Sequence, residues 1–162
     1  MTNKSFQQDV GAYLHGVNAL NPAVVTATTV AAGTELDGVD INRLSDPVNL
    51  TVSAKVIIPY SYSLAAAETA TLKSNAQDGA STTAYTDYDD KDGSTANSVT
   101  VGSTATTAAQ TGNGVLEYDL DLAAARQYVR IQLTPTFSAT SADTNDVGGV
   151  MVFGGGTVLP AA

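Results

Sequence analysis

No cysteine and no tryptophan occur among the 162 residues, and histidine occurs once, at His15. The missing thiols exclude disulfides, thiolate nucleophiles and cysteine-based zinc or iron–sulfur sites. A lone histidine rules out a two-histidine metal site in one chain, and His15 reads as a structural or interface residue rather than a general base. Basic side chains are scarce too: seven Lys and Arg face sixteen Asp and Glu, a formal charge of -9. That balance repels phosphate backbones and offers no cationic stripe, so direct nucleic-acid binding is not expected. No apolar run approaches the roughly 20 residues of a membrane helix. The opening MTNKSFQQDV has no positive start followed by an apolar stretch, so the chain is expected to be made without export and to contact no membrane.

Catalytic signatures are equally sparse. Serine and threonine abound, but none sits in G-x-S-x-G or S-x-x-K. Glu35, Glu68 and Glu117 would serve glycoside hydrolysis only by converging in space, and nothing local supports that. The stretch Asp87 to Gly93 carries hard oxygen ligands at alternate positions. Aligned on Gly93, it puts Asp90 and Asp92 on calcium-ligand positions, but Tyr88 and Val99 stand first and last, where carboxylates are needed. The stretch therefore reads as a solvated acidic loop. No enzyme activity, cofactor or metal is expected.

What the chain has instead is alternation. In Gly114 to Pro135, Leu116, Tyr118, Leu120 and Leu122 point one way and Glu117, Asp119 and Asp121 the other, the period of a half-buried strand. Val129, Ile131 and Leu133 then alternate with Tyr128, Arg130 and Gln132, and Pro135 is expected to end this second strand of a hairpin. Further strands are predicted at residues 24–30, 35–44, 49–59, 69–77, 84–87, 98–101 and 147–153, with 49–59 as a central one. Residues 102–114 read as a mobile loop. Phe6, Val10, Tyr13, Leu14 and Val17 recur at helical spacing over residues 5–17, before a break at Asn21-Pro22. The expected fold is all-β: an antiparallel, jelly-roll-like β-sandwich of about nine strands (22–156), with an N-terminal arm (1–21) and a C-terminal tail (157–162).

The segments DVGAYLHGVNALNPAVVTATTVAAGTELDGVDINRL, VSAKVIIPYSYSLAAAETATLKSNAQDG, LDLAAARQYVRIQLTPTFSATSADT and VMVFGGG resemble, in order and flavour, small structural proteins encoded near the head genes of tailed bacteriophages. The likeness is to those of marine alphaproteobacterial phages and gene-transfer particles. The resemblance implies a capsid decoration, or cement, protein on the outer capsid surface of the virion, made in the host cytoplasm. Such a protein would bridge major capsid protein subunits and meet copies of itself. Phe6, Val10, Tyr13 and Leu14 of the arm and Val158 and Leu159 of the tail are the expected interface residues. Two other readings fit the same residues: a carbohydrate-binding sandwich module and a head-completion or tail protein. Arg126, Tyr128 and Arg130 are the candidate contacts to an acidic capsid patch or to a glycan.

Overall fold

A computed structural model describes residues 14–27, 34–45, 51–88, 97–139 and 142–154. They form ten antiparallel strands: β1 (His15–Thr26), β2 (Leu36–Asp37), β3 (Ile41–Asn42), β4 (Ser53–Leu64), β5 (Thr69–Ser81), β6 (Ala84–Asp87), β7 (Ser98–Gly102), β8 (Gln110–Asp121), β9 (Tyr128–Phe137) and β10 (Thr144–Gly154). One sheet runs β1-β10-β4-β8. The other runs β2-β9-β5-β6, with β3 also on β9 and β7 also on β5. Counting β2 with β3, and β6 with β7, as single interrupted strands leaves eight. In chain order the sheets then read 1-8-3-6 and 2-7-4-5, the double Greek key of a jelly roll.

Alternation explains the core. Val56, Ile58, Leu116, Leu120, Met151 and Phe153 from the first sheet meet Leu72, Val129, Ile131 and Leu133 from the second, all buried in one cluster. Each such side chain contributes about 1.5–3 kcal/mol by leaving water. The sequence placed Leu116, Tyr118, Leu120 and Leu122 on one face, and all four are buried. The expectation that 49–59 holds a central strand also holds, since β4 lies between β10 and β8.

Several local readings are corrected. Gly114 to Pro135 is not a hairpin: β8 pairs with β4, β9 pairs with β5, and the connection between them crosses from one sheet to the other. Strand β9 passes through Pro135, which sits opposite Leu72, and ends at Phe137. No strand flanks Pro135 on the other margin among the described residues, so the missing N–H costs no ladder bond there. Residues 110–114 belong to β8 rather than to a loop. Gly112 and Gly114 leave room for Tyr62 and Tyr60, whose hydroxyl oxygens would lie 2.6 and 2.4 Å from a β-carbon there.

Residues 15–17, the end of the expected helical stripe, are extended, and Asn21-Pro22 lies within β1 rather than at a break. Pairing with β10 outweighs the helical spacing, and register shifts between Asn18 and Leu20 and between Leu20 and Ala23 absorb the proline. The strand expected at 35–44 is split at Gly38, whose N–H donates to Ile131 O (2.8 Å) while the N–H of Val39 donates to Ala19 O (2.8 Å). The chain here touches both sheets at once. A β-carbon on Gly38 would fall 2.4 Å from Ala19 O, so only glycine fits.

Candidate functional site

The two sheets turn very different outer faces to solvent. On the second sheet, strand alternation sends Lys73, Asn75 and Gln77 of β5 outward beside Arg130, Gln132 and Thr134 of β9, with Asp37 and Asp87 flanking them on β2 and β6. These side chains are knit together. Arg130 Nε donates to Gln77 Oε1 (2.8 Å), and its Nη1 pairs with Asp37 at 3.0 Å. Gln132 Nε2 donates to Asp37 Oδ1 (2.9 Å), while Gln132 Oε1 accepts from Gln77 Nε2 (3.3 Å). Asp87 Oδ1 accepts from Asn75 Nδ2 (2.6 Å) and Gln77 Nε2 (3.2 Å). The guanidinium of Arg130 also lies 4.3 Å above the Tyr85 ring. Burial and a hydrogen bond to Asp40 (2.8 Å) push the Tyr85 phenol well above its ordinary range.

Tyr128 and Arg130 thus share this face, whereas Arg126 is drawn away from it. Arg126 donates from its backbone N to Asp78 Oδ2 (2.7 Å), from Nε to Asp78 Oδ1 (3.0 Å) and from Nη2 to Asp78 O (2.7 Å), and it also reaches the Thr86 hydroxyl. Burial pushes the Asp78 carboxyl up, but the side-chain and backbone hydrogen bonds from Arg126 outweigh it and hold the group below the usual carboxylate range.

The outer face of the first sheet is aliphatic at its centre. Cross-strand rows place Val150 opposite Ile57, Val152 opposite Lys55, and Pro59 opposite Val115. Val24, Val115 and Val150 are 66%, 54% and 40% exposed. Leu14, an expected interface residue, is exposed as well and joins Ile57 and Val152 around a shallow depression of about 440 Å³. Carboxylates border the patch: Glu117, Asp119 and Asp121 along β8, and Asp146 on β10. Lys55 pairs with Glu117 (3.5 Å) and Asp119 (3.3 Å). Four carboxylates against one ammonium leave this face at -3.

The three glutamates weighed for hydrolysis do not meet. Glu117 is on the outer face of the first sheet, Glu68 accepts from the Ser138 hydroxyl, and Glu35 lies beside the polar face of the second sheet. Glu117 and Glu35 lie at opposite sheets, which stand about 10 Å apart, beyond the roughly 5–9.5 Å of a catalytic carboxylate pair, and Glu68 lies in the turn between β4 and β5. His15 is half-buried in β1. Among the described residues no three His, Cys, Asp or Glu side chains gather to hold a metal. Phe6, Val10, Tyr13, Asp90, Asp92, Val158 and Leu159 lie outside the described residues.

Sequence reasoning passed over Arg43, which is 4% exposed. Its Nη2 donates to Thr51 O (2.9 Å) and Leu122 O (2.7 Å), and its Nη1 to Arg126 O (3.1 Å) and to Ala125 O. Burial lowers its pKa from the ordinary arginine value. The only trace in the sequence is an arginine closing the apolar alternation Val39, Ile41 just before Leu44.

No protein-family model and no curated protein matches the chain. Among solved structures it is similar to that of the infectious bursal disease virus Gx strain, with 11% identity and a TM-score of 0.46 over 90% of this chain and 34% of the other. It is also similar to the VP2 subviral particle of that virus, with 12% identity and a TM-score of 0.41 over 91% and 34%. A third similar structure is Eiger TNF from S. frugiperda, with 8% identity and a TM-score of 0.40 over 93% and 98%. The chain spans about a third of the length of the two viral chains.

Proposed function

We propose that this is a non-enzymatic structural protein of a virion, a decoration protein that binds the outside of a phage capsid and stabilises the shell by bridging major capsid protein subunits. The observation that carries the reading is the outer face of the first sheet, where valine, isoleucine and proline occupy positions that an unpartnered sandwich gives to polar residues. Its acidic border fits a partner surface with an apolar centre and a basic rim. The sequence resemblance to head-gene neighbours supports the same reading. So does the jelly-roll order, a fold-level analogy, since such sandwiches serve as capsid and lectin domains.

In this mechanism each copy clamps two or more subunits, so that pressure from within must break several contacts before a joint opens. Residues ahead of His15, with Phe6, Val10 and Tyr13, and the tail with Val158 and Leu159 add further grips in the proposal.

The double variant Val115→Asp/Val150→Asp tests it by co-sedimentation with purified shells of the parent particle. Wild-type protein pellets with the shells, and less of it as salt rises. The variant stays in the supernatant while its β circular dichroism and melting curve are unchanged. Pelleting of the variant equal to wild type overturns the docking face, and a wild-type chain that never pellets overturns the decoration role.

A further inference from the structure

The polar outer face of the second sheet encloses a cleft of about 450 Å³, a volume typical of small-ligand sites. Every residue lining it is polar. Its floor is the network of Asn75, Gln77, Gln132 and Asp87, whose amides and carboxylate hold one another in place. Gln132 is only 6% exposed, and Asn75 Oδ1 is sheltered from solvent without a hydrogen-bond partner. The rim is different. Glu35, Lys73 and Thr134 have no side-chain partner among the described residues, which leaves an acceptor, a donor and a group able to do both.

We infer that this cleft binds a neutral, hydroxyl-rich ligand, namely a sugar ring of a glycan. Three properties single out that chemistry. A fixed floor of planar amides beside a rim of mixed donors and acceptors suits vicinal hydroxyls, each of which donates and accepts. Among the described residues the local charge is small: Glu35 and Asp87 against Lys73, with Asp37 and Arg130 neutralising each other, gives -1, which disfavours phosphate, sulfate and sialic acid alike. A lining without aliphatic side chains gives a lipid or an apolar peptide nothing to bury against. Tyr128 and Tyr85 stand opposite Gly79 at one end of the same face and supply aromatic edges in place of tryptophan. This site lies on the sheet opposite the proposed docking face and does not depend on it.

The test is an array of neutral, amino and acidic glycans probed with the full chain, followed by competition with the best neutral oligosaccharide free in solution. Saturable binding confined to neutral glycans, and competed by the free oligosaccharide, is expected. Thr134→Trp fills the cleft from its rim without removing any member of the network and should weaken binding at least tenfold at an unchanged melting temperature. Gln132→Ala, which removes a floor amide bonded to Asp37 and Gln77, should weaken binding to a similar degree and also lower the melting temperature. No saturable binding to any neutral glycan, binding only to acidic ones, or full-strength binding by a folded Thr134→Trp each overturns the inference. Attachment to shells is read separately, so failure here leaves the docking result standing.

Discussion

A guanidinium held by four carbonyls and bonded to no carboxylate among the described residues, as at Arg43, acts chiefly through hydrogen bonds. It ties Thr51, ahead of β4, to the segment that carries the chain from β8 to β9. Arg43→Ala leaves those carbonyls unsatisfied in a closed space and should cost about 3 kcal/mol or more in urea unfolding. Arg43→Lys should recover little, because one ammonium cannot span carbonyls that a planar fork reaches on two sides. Tyr118 also spans the sheets, its hydroxyl 2.8 Å from that of Ser74 on β5. Burial pushes its phenol up to about 12, although the bond to Ser74 pulls the other way. The protonated form is thus favoured in the folded state. The stability this gives is complete below pH 10 and is lost as pH climbs toward 12, on the order of 2 kcal/mol in all. Alkaline titration of Tyr118→Phe should show a shallower fall across that window, Tyr85 accounting for part of what remains.

At the scale of the element, the strands whose sides differ sharply in polarity were legible in advance. Leu116 through Leu122 and Val129 through Leu133 declared their buried faces by period alone, because a one-residue slip would expose every leucine. The segments that misled are those where tertiary pairing supplies what local sequence withholds. Gln110 to Gly114 looks polar and loose, yet its glycines are the spaces that tyrosines of β4 fill. Gly114→Val would press a side chain into the Tyr60 ring and should destabilise the fold by about 1–3 kcal/mol, seen as a lower melting temperature. In the same way Val17 falls in an apolar spacing that suits a helix, while β10 recruits residues 15–18 as a strand. The edges are also managed. Strand β8 lines one edge with Glu117, Asp119 and Asp121, and β1 carries shifts and a proline at the other, both of which discourage edge-to-edge growth.

For the whole molecule, periodicity was enough to announce a sandwich but not its wiring. Neighbours in sequence such as β8 and β9 looked like a hairpin because nothing in Ala123-Ala124-Ala125-Arg126 declares which sheet comes next. That information sits in Arg43 and Asp78, distant in sequence, which both grip the crossing. The polar face was half legible for the same reason. Tyr128 and Arg130 were visible as one side of a strand, whereas Asp37, Asn75, Gln77 and Asp87 join them only once β2, β5 and β6 are laid beside β9.

The register that sets His15 against Phe153 brings the first and last described strands side by side. Whatever is attached ahead of β1 and whatever is attached behind β10 must therefore leave from the same corner of the sandwich. The described body is thus closed along a single seam, where its first strand and its last lie hydrogen-bonded side by side.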